Sequence, residues 1–517
     1  MNTLFRMAAM GLPLVLMGCA GTMRSYDSEL KQTVDAVASG NVVLALKQLE
    51  QNNPGKDKDL LYYLEKGQLL RMDNRFEDSR DAWFGADQKI LEWEEAVKAD
   101  PAQFLGNVGS VIVNDKGRRY DGADYEKVLL TTLLALDHIS LGDWSGARTE
   151  IKKTHEREAV IAELRAKQVQ QETEEAKKRN VTTTFKDLKG YPVESLDDPE
   201  VVALKNGYQS AVSHYLAGFI YEALGEPSLA APGYRTAIEL RPGVAVLEEG
   251  LKHLDSRGRR IQPGMTDTLF VLETGFAPAK KSVSIPIPVP FSSGLGMGLI
   301  PISFPTIHSD TRAAAPAQMV LNDGKQTVPL ALVTNVDAMA RRQLRDEMPG
   351  IIVRGTIRAI TKGIAQKQAN DHGGLLAGLL VTIASVATES ADERVWRTLP
   401  GQISLGRMTL PAGQHTLNVP TPQGEKQVVF TVTGKHAVVP LRVTDGNIYL
   451  AQTHYTPEQL AAWRAPTVKP AAHAADGKKE NTRTSTRKNR KKPAPPTRKP
   501  APLSPASVAN LPRENLP

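Results

Sequence analysis

The chain has 517 residues, a formal net charge of +7 and one cysteine, Cys19. A single cysteine excludes an intramolecular disulfide, a multi-thiolate metal site and a CxxC redox pair, and the length suffices for about two to four domains with sizeable cores. From Pro466 onward 12 Lys and Arg face 3 Asp and Glu, so the positive surplus belongs to the C-terminal tail and the rest of the chain is close to neutral.

Residues 1–18 have the composition of a secretory signal. Arg6 supplies a basic start, "MAAMGLPLVLM" an apolar stretch of 11 residues, and Gly18 with Cys19 a small-residue cleavage site. The apolar stretch is too short to span a bilayer, which needs roughly 20 residues. Leu16, Gly18 and Cys19 resemble the lipobox of bacterial lipoproteins. That resemblance implies cleavage before Cys19 and acylation of it, palmitate included, and each buried CH2 adds about 0.8 kcal/mol of anchoring. Ala20 is not the aspartate that retains such proteins in the inner membrane, so the expected location is the periplasmic face of the outer membrane. An ordinary signal peptide with an incidental cysteine is the alternative.

Residues 19–255 read as helical. "HYLAGFIYEALGEPSLAAPGYRTAIELRP" (214–242) resembles a tetratricopeptide repeat (TPR): Gly218 and Tyr221 on a first helix, Gly225 in the turn, Ala230, Tyr234 and Ala237 on a second helix, and Pro242 as its stop. Two short helices cross closely only where small residues occupy the crossing point and an aromatic fills the next gap. The template also finds Gly67, Asn74, Phe76, Trp83 and Ala86, and again Ala135, Gly142, Trp144 and Ala147; Gly40 and Ala45 stand 34 residues before Asn74 and Ser79, the TPR period. A Gly-containing insertion between Asp100 and Asp124 interrupts the array, and a highly charged helical extension runs near 152–180. Its acids Glu172, Glu174 and Glu175 are most simply a solvated face.

A β-rich region is expected over 256–334 and again over 391–455. "SVSIPIPV" alternates Val283, Ile285, Ile287 and Val289 with Ser284, Pro286 and Pro288, a strand period whose prolines confine it to a sheet edge or an extended strap. "QMVLNDGKQTVPLALV" predicts a hairpin at Asp323-Gly324, and "LPAGQHTLNV", "KQVVFTVTG" and "VTDGNIYLAQ" continue a β-sandwich-like domain. Inserted helices are predicted over 335–390: one capped by Asn335 and running through Asp346, then, after Pro349, a stripe of Val353, Ile357, Ile360 and Ile364 with Arg354, Arg358 and Lys362 on another face. "GGLLAGLLVTIASVAT" (373–388) is uncharged and, at about 24 Å as a helix, short of a membrane core. It is a buried helix or hairpin, or a membrane or oligomer contact through its Gly374-xxx-Gly378 spacing. The basic, proline-rich stretch 456–517 has too little to bury and is expected to be disordered.

No signature of catalysis appears. "SSGLGMG" lacks the context of a dinucleotide fingerprint, "THEREA" lacks the second histidine of a zinc protease, and there is no GxSxG elbow. The expectation is therefore a chain without catalytic residues, metal or cofactor. A TPR groove would be lined by first-helix residues Leu64, Gln68, Thr132, Leu136, Tyr215 and Phe219. These lack the Lys, Asn and Arg of carboxylate-clamping members, so the groove is apolar and suits an amphipathic helix or the chain's own extension. The alternative places these six in the core, against the charged helix or the β domain. Trp396, between Arg394 and Arg397, is either a binding spot or a buried ring with surface arginines beside it.

Over most of its length the sequence resembles a family of TPR lipoproteins of Gram-negative bacteria. The carrying stretches are "DYEKVLLTTLLALDHISLGDWSGARTE", "LETGFAP", "SIPIPV" and "ADERVWRTLPGQISLGRMTLPAGQHTL". The resemblance implies an association with envelope assembly, including the lipoprotein activators of peptidoglycan synthases. The fold class expected is thus α+β and multidomain, a TPR-like solenoid followed by a β-sandwich-like domain with inserted helices. The expected function is a scaffold or adaptor for envelope proteins, with tail contacts to peptidoglycan or anionic lipid and none to nucleic acid. A self-assembling envelope component, or a cell-wall enzyme with an unrecognised site, are the alternatives.

Overall fold

The structure is a computed structural model that describes residues 26–100, 119–179, 184–290, 297–310, 312, 315–322, 324–359 and 391–452. Cys19 and its leader, most of the insertion after Asp100, the uncharged segment 373–388 and the basic tail lie outside the described residues.

The N-terminal half is built from helical hairpins: α1 (Tyr26–Ala38) with α2 (Val42–Asn52), α3 (Leu60–Met72) with α4 (Phe76–Ala99), α5 (Asp124–Ser140) with α6 (Trp144–Arg179), and, after the short α7 (Pro199–Ala203), α8 (Ala211–Ala223) with α9 (Pro227–Leu240). All four hairpins turn in the same way. Gly40, Asn74, Gly142 and Gly225 adopt φ between 58° and 85°, where glycine, or asparagine, is least strained. At each, the positive-φ residue donates to the carbonyl three residues back and the next residue to the carbonyl five back, as in Asn74 to Arg71 and Arg75 to Leu70, at 2.8–3.1 Å throughout. This is the Schellman motif. At the crossings, a Cβ on Gly67 would lie 2.2 Å from the Trp83 ring and one on Gly218 2.7 Å from Tyr234. The small-residue and aromatic pattern is thus a packing requirement.

The array ends in α10 (Ala245–Lys252) and α11 (Leu254–Arg260). Helix α6 runs for 36 residues against 17 in its partner, and its second half is not free. Glu172 is buried and bonded by Arg354 at 3.2 Å, while Glu174 is exposed and Glu175 half-buried; only part of that acidic group is solvated.

Three sheets follow. The first has five strands in the order β11-β10-β1-β7-β6: β1 is Met265–Thr274, β6 Ala331–Asn335, β7 Gln402–Pro411, β10 His436–Thr444 and β11 Asn447–Leu450. Strand β1 pairs in parallel with β10, and the other neighbours are antiparallel. The second has four, β5 (Gln326–Pro329), β4 (Gln318–Leu321), β8 (Gly413–Thr421) and β9 (Gly424–Val432). On β1, Leu269 and Val271 enter the core shared with the helices, whereas Phe270 and Leu272 meet Met319, Leu417 and Phe430 of the second sheet. The two-residue period of a strand thus makes three layers, with helices, central sheet and outer sheet stacked in that order. The two sheets pack on one another, and the inner one is covered on both faces.

Strands β2 (Ala279–Pro290) and β3 (Met297–His308) pair only with each other, the strap expected from "SVSIPIPV". Pro286 stands opposite Pro301, so both occupy a position whose missing N–H faces outward, and among the described residues no third strand is built on either side. Asn335 accepts from Ala338 N at 3.3 Å and caps the helix α12, residues 336–359. The expected break at Pro349 is corrected: α12 is one helix. A proline removes a single helical hydrogen bond, whereas Val336, Ala340, Leu344, Met348 and Ile352 form one buried stripe on both sides of it. Arg358, expected on a polar face, is buried.

Candidate functional site

All six expected groove residues are enclosed: Leu64, Gln68, Tyr215 and Phe219 are 0% exposed and Thr132 and Leu136 2%. No open groove runs along them; the face is filled by the chain itself. Residues 391–400 lie across the first helices of the repeats and are held by two carboxylates. Glu65 on α3 accepts from Arg397 N at 2.5 Å and Thr398 N at 3.1 Å, and also from the Thr398 hydroxyl. Glu126 on α5 accepts from Trp396 N at 2.7 Å, Tyr120 OH at 2.5 Å and Ala123 N at 2.9 Å. Burial pushes the Glu65 carboxyl up to about 7 despite these donors and nearby Arg397, and it raises Glu126 likewise. The Trp396 ring, wholly buried, meets Trp83 edge-on at 6.0 Å. Its neighbours are corrected from surface to interior: Arg394 and Arg397 are also buried, the first on Asp392 at 2.8 Å.

Further along the same face Arg407 of β7 enters the array. It bonds Asp267 of β1 and, at 2.9 Å, Glu222 of α8, donates to the hydroxyls of Tyr215 (3.3 Å) and Tyr234 (3.0 Å), and covers the Phe219 ring at 4.7 Å. Glu222, Asp267 and His436 converge closely enough to hold a cation. Arg407 bonds both carboxylates and Arg257 bonds Glu222 at 2.7 Å, so the negative charge a metal would need is already neutralised. Burial lowers the His436 pKa in spite of Asp267. A third buried group joins α3, α5 and the sheet: Arg71 bonds Asp137 at 3.0 Å and Glu273 at 2.8 Å, and Arg442 donates to Thr398 O at 3.0 Å. Burial pushes Asp137 to about 7, with Arg71 opposing.

Beside the 391–400 segment a cavity of about 240 Å³ opens between the start of α5, the middle of α6, α12 and the β2–β3 ribbon. Arg165 spans Asp124 at 2.5 Å and Glu347 at 2.6 Å. Lys127 sits 3.5 Å above the Trp93 ring and 3.3 Å from Asp124. Burial lowers the Lys127 pKa more than Asp124 restores it, whereas for Asp124 the two cations outweigh burial and hold it below the usual range.

Sequence reasoning missed Glu65, Glu126, Glu222, Asp267 and Arg407. The available signal was local: Glu65 directly follows Leu64 on the inward side of a first helix, and Glu126 opens the next. Their partners in the 391–400 segment lie 270 or more residues away, where no spacing rule reaches.

No family model matches the chain, and no curated protein matches it. Among solved structures, a tetratricopeptide repeat protein from Parabacteroides merdae is similar over 44% of this chain and 97% of its own, at 14% identity and a TM-score of 0.13. The helical-repeat description therefore stands on the four hairpins themselves.

Proposed function

We propose that the chain is a non-enzymatic outer-membrane lipoprotein facing the periplasm, anchored through acylated Cys19, whose repeats scaffold envelope proteins through their outer helices. The observation that carries the reading is the direction in which the repeats present apolar residues. The inward face is occupied by residues 391–400 and the central sheet. Of the nine large exposed hydrophobic side chains among the described residues, six (Val43, Leu44, Phe84, Leu91, Val169 and Leu229) belong to second helices of hairpins, while Val202 lies on α7, Leu224 at the end of α8 and Val429 on β9. Partners thus meet the side of the second helices, and the β domain covers the side of the first helices. The resemblance to envelope-assembly lipoproteins, and the basic tail suited to peptidoglycan carboxylates or anionic lipid, support the location. Self-assembly through the inserted helices is less well supported, because the described half of that insertion, α12, is spent on the core.

The test is crosslinking in cells with identification of the captured proteins, comparing the wild type with a Phe84→Ser, Leu91→Ser double variant. These residues are 38% and 37% exposed and two turns apart on α4; because Phe84 also meets His138, Arg80 and Lys153, thermal melting is followed alongside, and capture of specific envelope proteins falls severalfold while the variant still melts cooperatively. Undiminished capture by the double variant removes α4 from the interface, and capture of this chain alone favours self-assembly.

A further inference from the structure

The cavity beside the 391–400 segment has more hydrogen-bond donors than its own acceptors use. Each lining carboxylate is bonded: Asp124 and Glu347 by Arg165, Asp392 by Arg394, Asp121 by Arg119 at 3.7 Å. Two lining cations retain capacity. Lys280, half-buried at the base of β2, makes no hydrogen bond or ion pair with the described residues, although Glu126 and Glu347 feel its charge. Arg354 of α12 gives one nitrogen to Glu172, while its Nε is buried with no acceptor. Leaving a buried charged donor unbonded costs more than any other kind of unmade hydrogen bond. The rest of the wall includes Leu164, Ile307 and Ile351, so the space is amphipathic and larger than a single inorganic anion.

We propose that this cavity is a binding site for a small organic anion, an acidic group on an apolar body, with Lys280 and Arg354 receiving the acidic group. The site is separate from the exposed side chains of the second helices and independent of the partner reading above. Carboxylate and phosphate share the required chemistry, and volume with apolar lining favours a carbon-bearing ligand over a bare ion.

The experiment is calorimetric titration of the mature full-length chain with three probes: acetate, hexanoate and inorganic phosphate. Hexanoate is expected to bind more tightly than acetate because its chain meets the apolar wall, and phosphate to be the weakest. A phosphate affinity exceeding that of hexanoate would keep the anion site but overturn the organic-anion assignment. Lys280→Gln is expected to weaken hexanoate by about tenfold, the loss of one charge-assisted hydrogen bond, and to leave the melting temperature unchanged because Lys280 makes no hydrogen bond or ion pair among the described residues. Lys280→Arg restores most of the affinity. Absence of binding by all three probes at tens of millimolar, or equal hexanoate binding by wild type and Lys280→Gln, overturns the proposal. If Lys280→Gln melts lower, Lys280→Arg decides: retained binding upholds the site and loss in both variants removes it.

Discussion

Glu65 performs at the scale of one residue what a turn of secondary structure performs elsewhere. It supplies acceptors to three donors of a segment that forms no strand or helix of its own. The position is costly, because a wholly buried carboxylate with its pKa pushed from 4.5 to about 7 favours the protonated folded state. Between those two pH values the folded chain holds more proton than the unfolded one, so stability falls as pH rises through the window. Asp137, also near 7, acts in the same sense. Carboxylates held low, such as Asp124, Asp87 and Asp310, act in the opposite sense as pH falls below the ordinary carboxylate range, and His155 and His436, held below 6.5 by burial, oppose the two raised carboxyls within the window, so the decisive quantity is the difference that removing Glu65 makes. Denaturant titration at pH 5.0 and 7.5 should therefore show a loss of stability at the higher pH, and Glu65→Gln should reduce that loss by roughly 2 kcal/mol. An unchanged pH dependence in the variant would mean that Glu65 is ionised throughout.

At the scale of elements, stability rests on how closely paired helices approach. In the α8–α9 hairpin a Cβ on Gly233 would stand 2.7 Å from His214 O and 2.9 Å from Gly218 N, backbone atoms that cannot turn aside. Gly233→Ala is expected to destabilise by roughly 1–3 kcal/mol, although alanine is the better helix former by about 1 kcal/mol. Gly258 in α11 has nothing within 4 Å of the same position. Gly258→Ala should therefore leave the urea midpoint unchanged or raise it slightly. If both variants behaved alike, interhelical approach would not be what requires glycine in this array.

The whole molecule joins parts far apart in sequence. Trp396 of the β-domain segment packs on Trp83 of the second hairpin, and β7, directly after that segment, lies between β1 and β6. Repeats and sheets consequently share one core and should unfold together. No helix among the described residues is long and apolar enough to cross a membrane. Under the proposed function, attachment depends on Cys19. Cys19→Ala should move the protein out of the outer-membrane fraction on sucrose-gradient separation, with its folding unaltered. Full retention there would show that another part of the chain holds the membrane.

Much of the frame was legible because its causes are local. The Gly40, Asn74, Gly142 and Gly225 turns, the Gly67–Trp83 and Gly218–Tyr234 crossings, the proline-bearing ribbon and the strands of the sandwich each follow from short-range backbone and packing constraints. What the tertiary structure decided are matters of long-range pairing. These are the parallel union of β1 with β10, the continuity of α12 through Pro349, and the filling of the inward face by residues 391–400. The six first-helix residues illustrate the division. Their apolar character is plain in the sequence, but an apolar face is equally suited to a partner and to the chain's own core. Only the carboxylates of Glu65 and Glu126 meeting the backbone of Trp396, Arg397 and Thr398, together with Arg407 closing over Tyr215 and Phe219, settle that the face is turned inward.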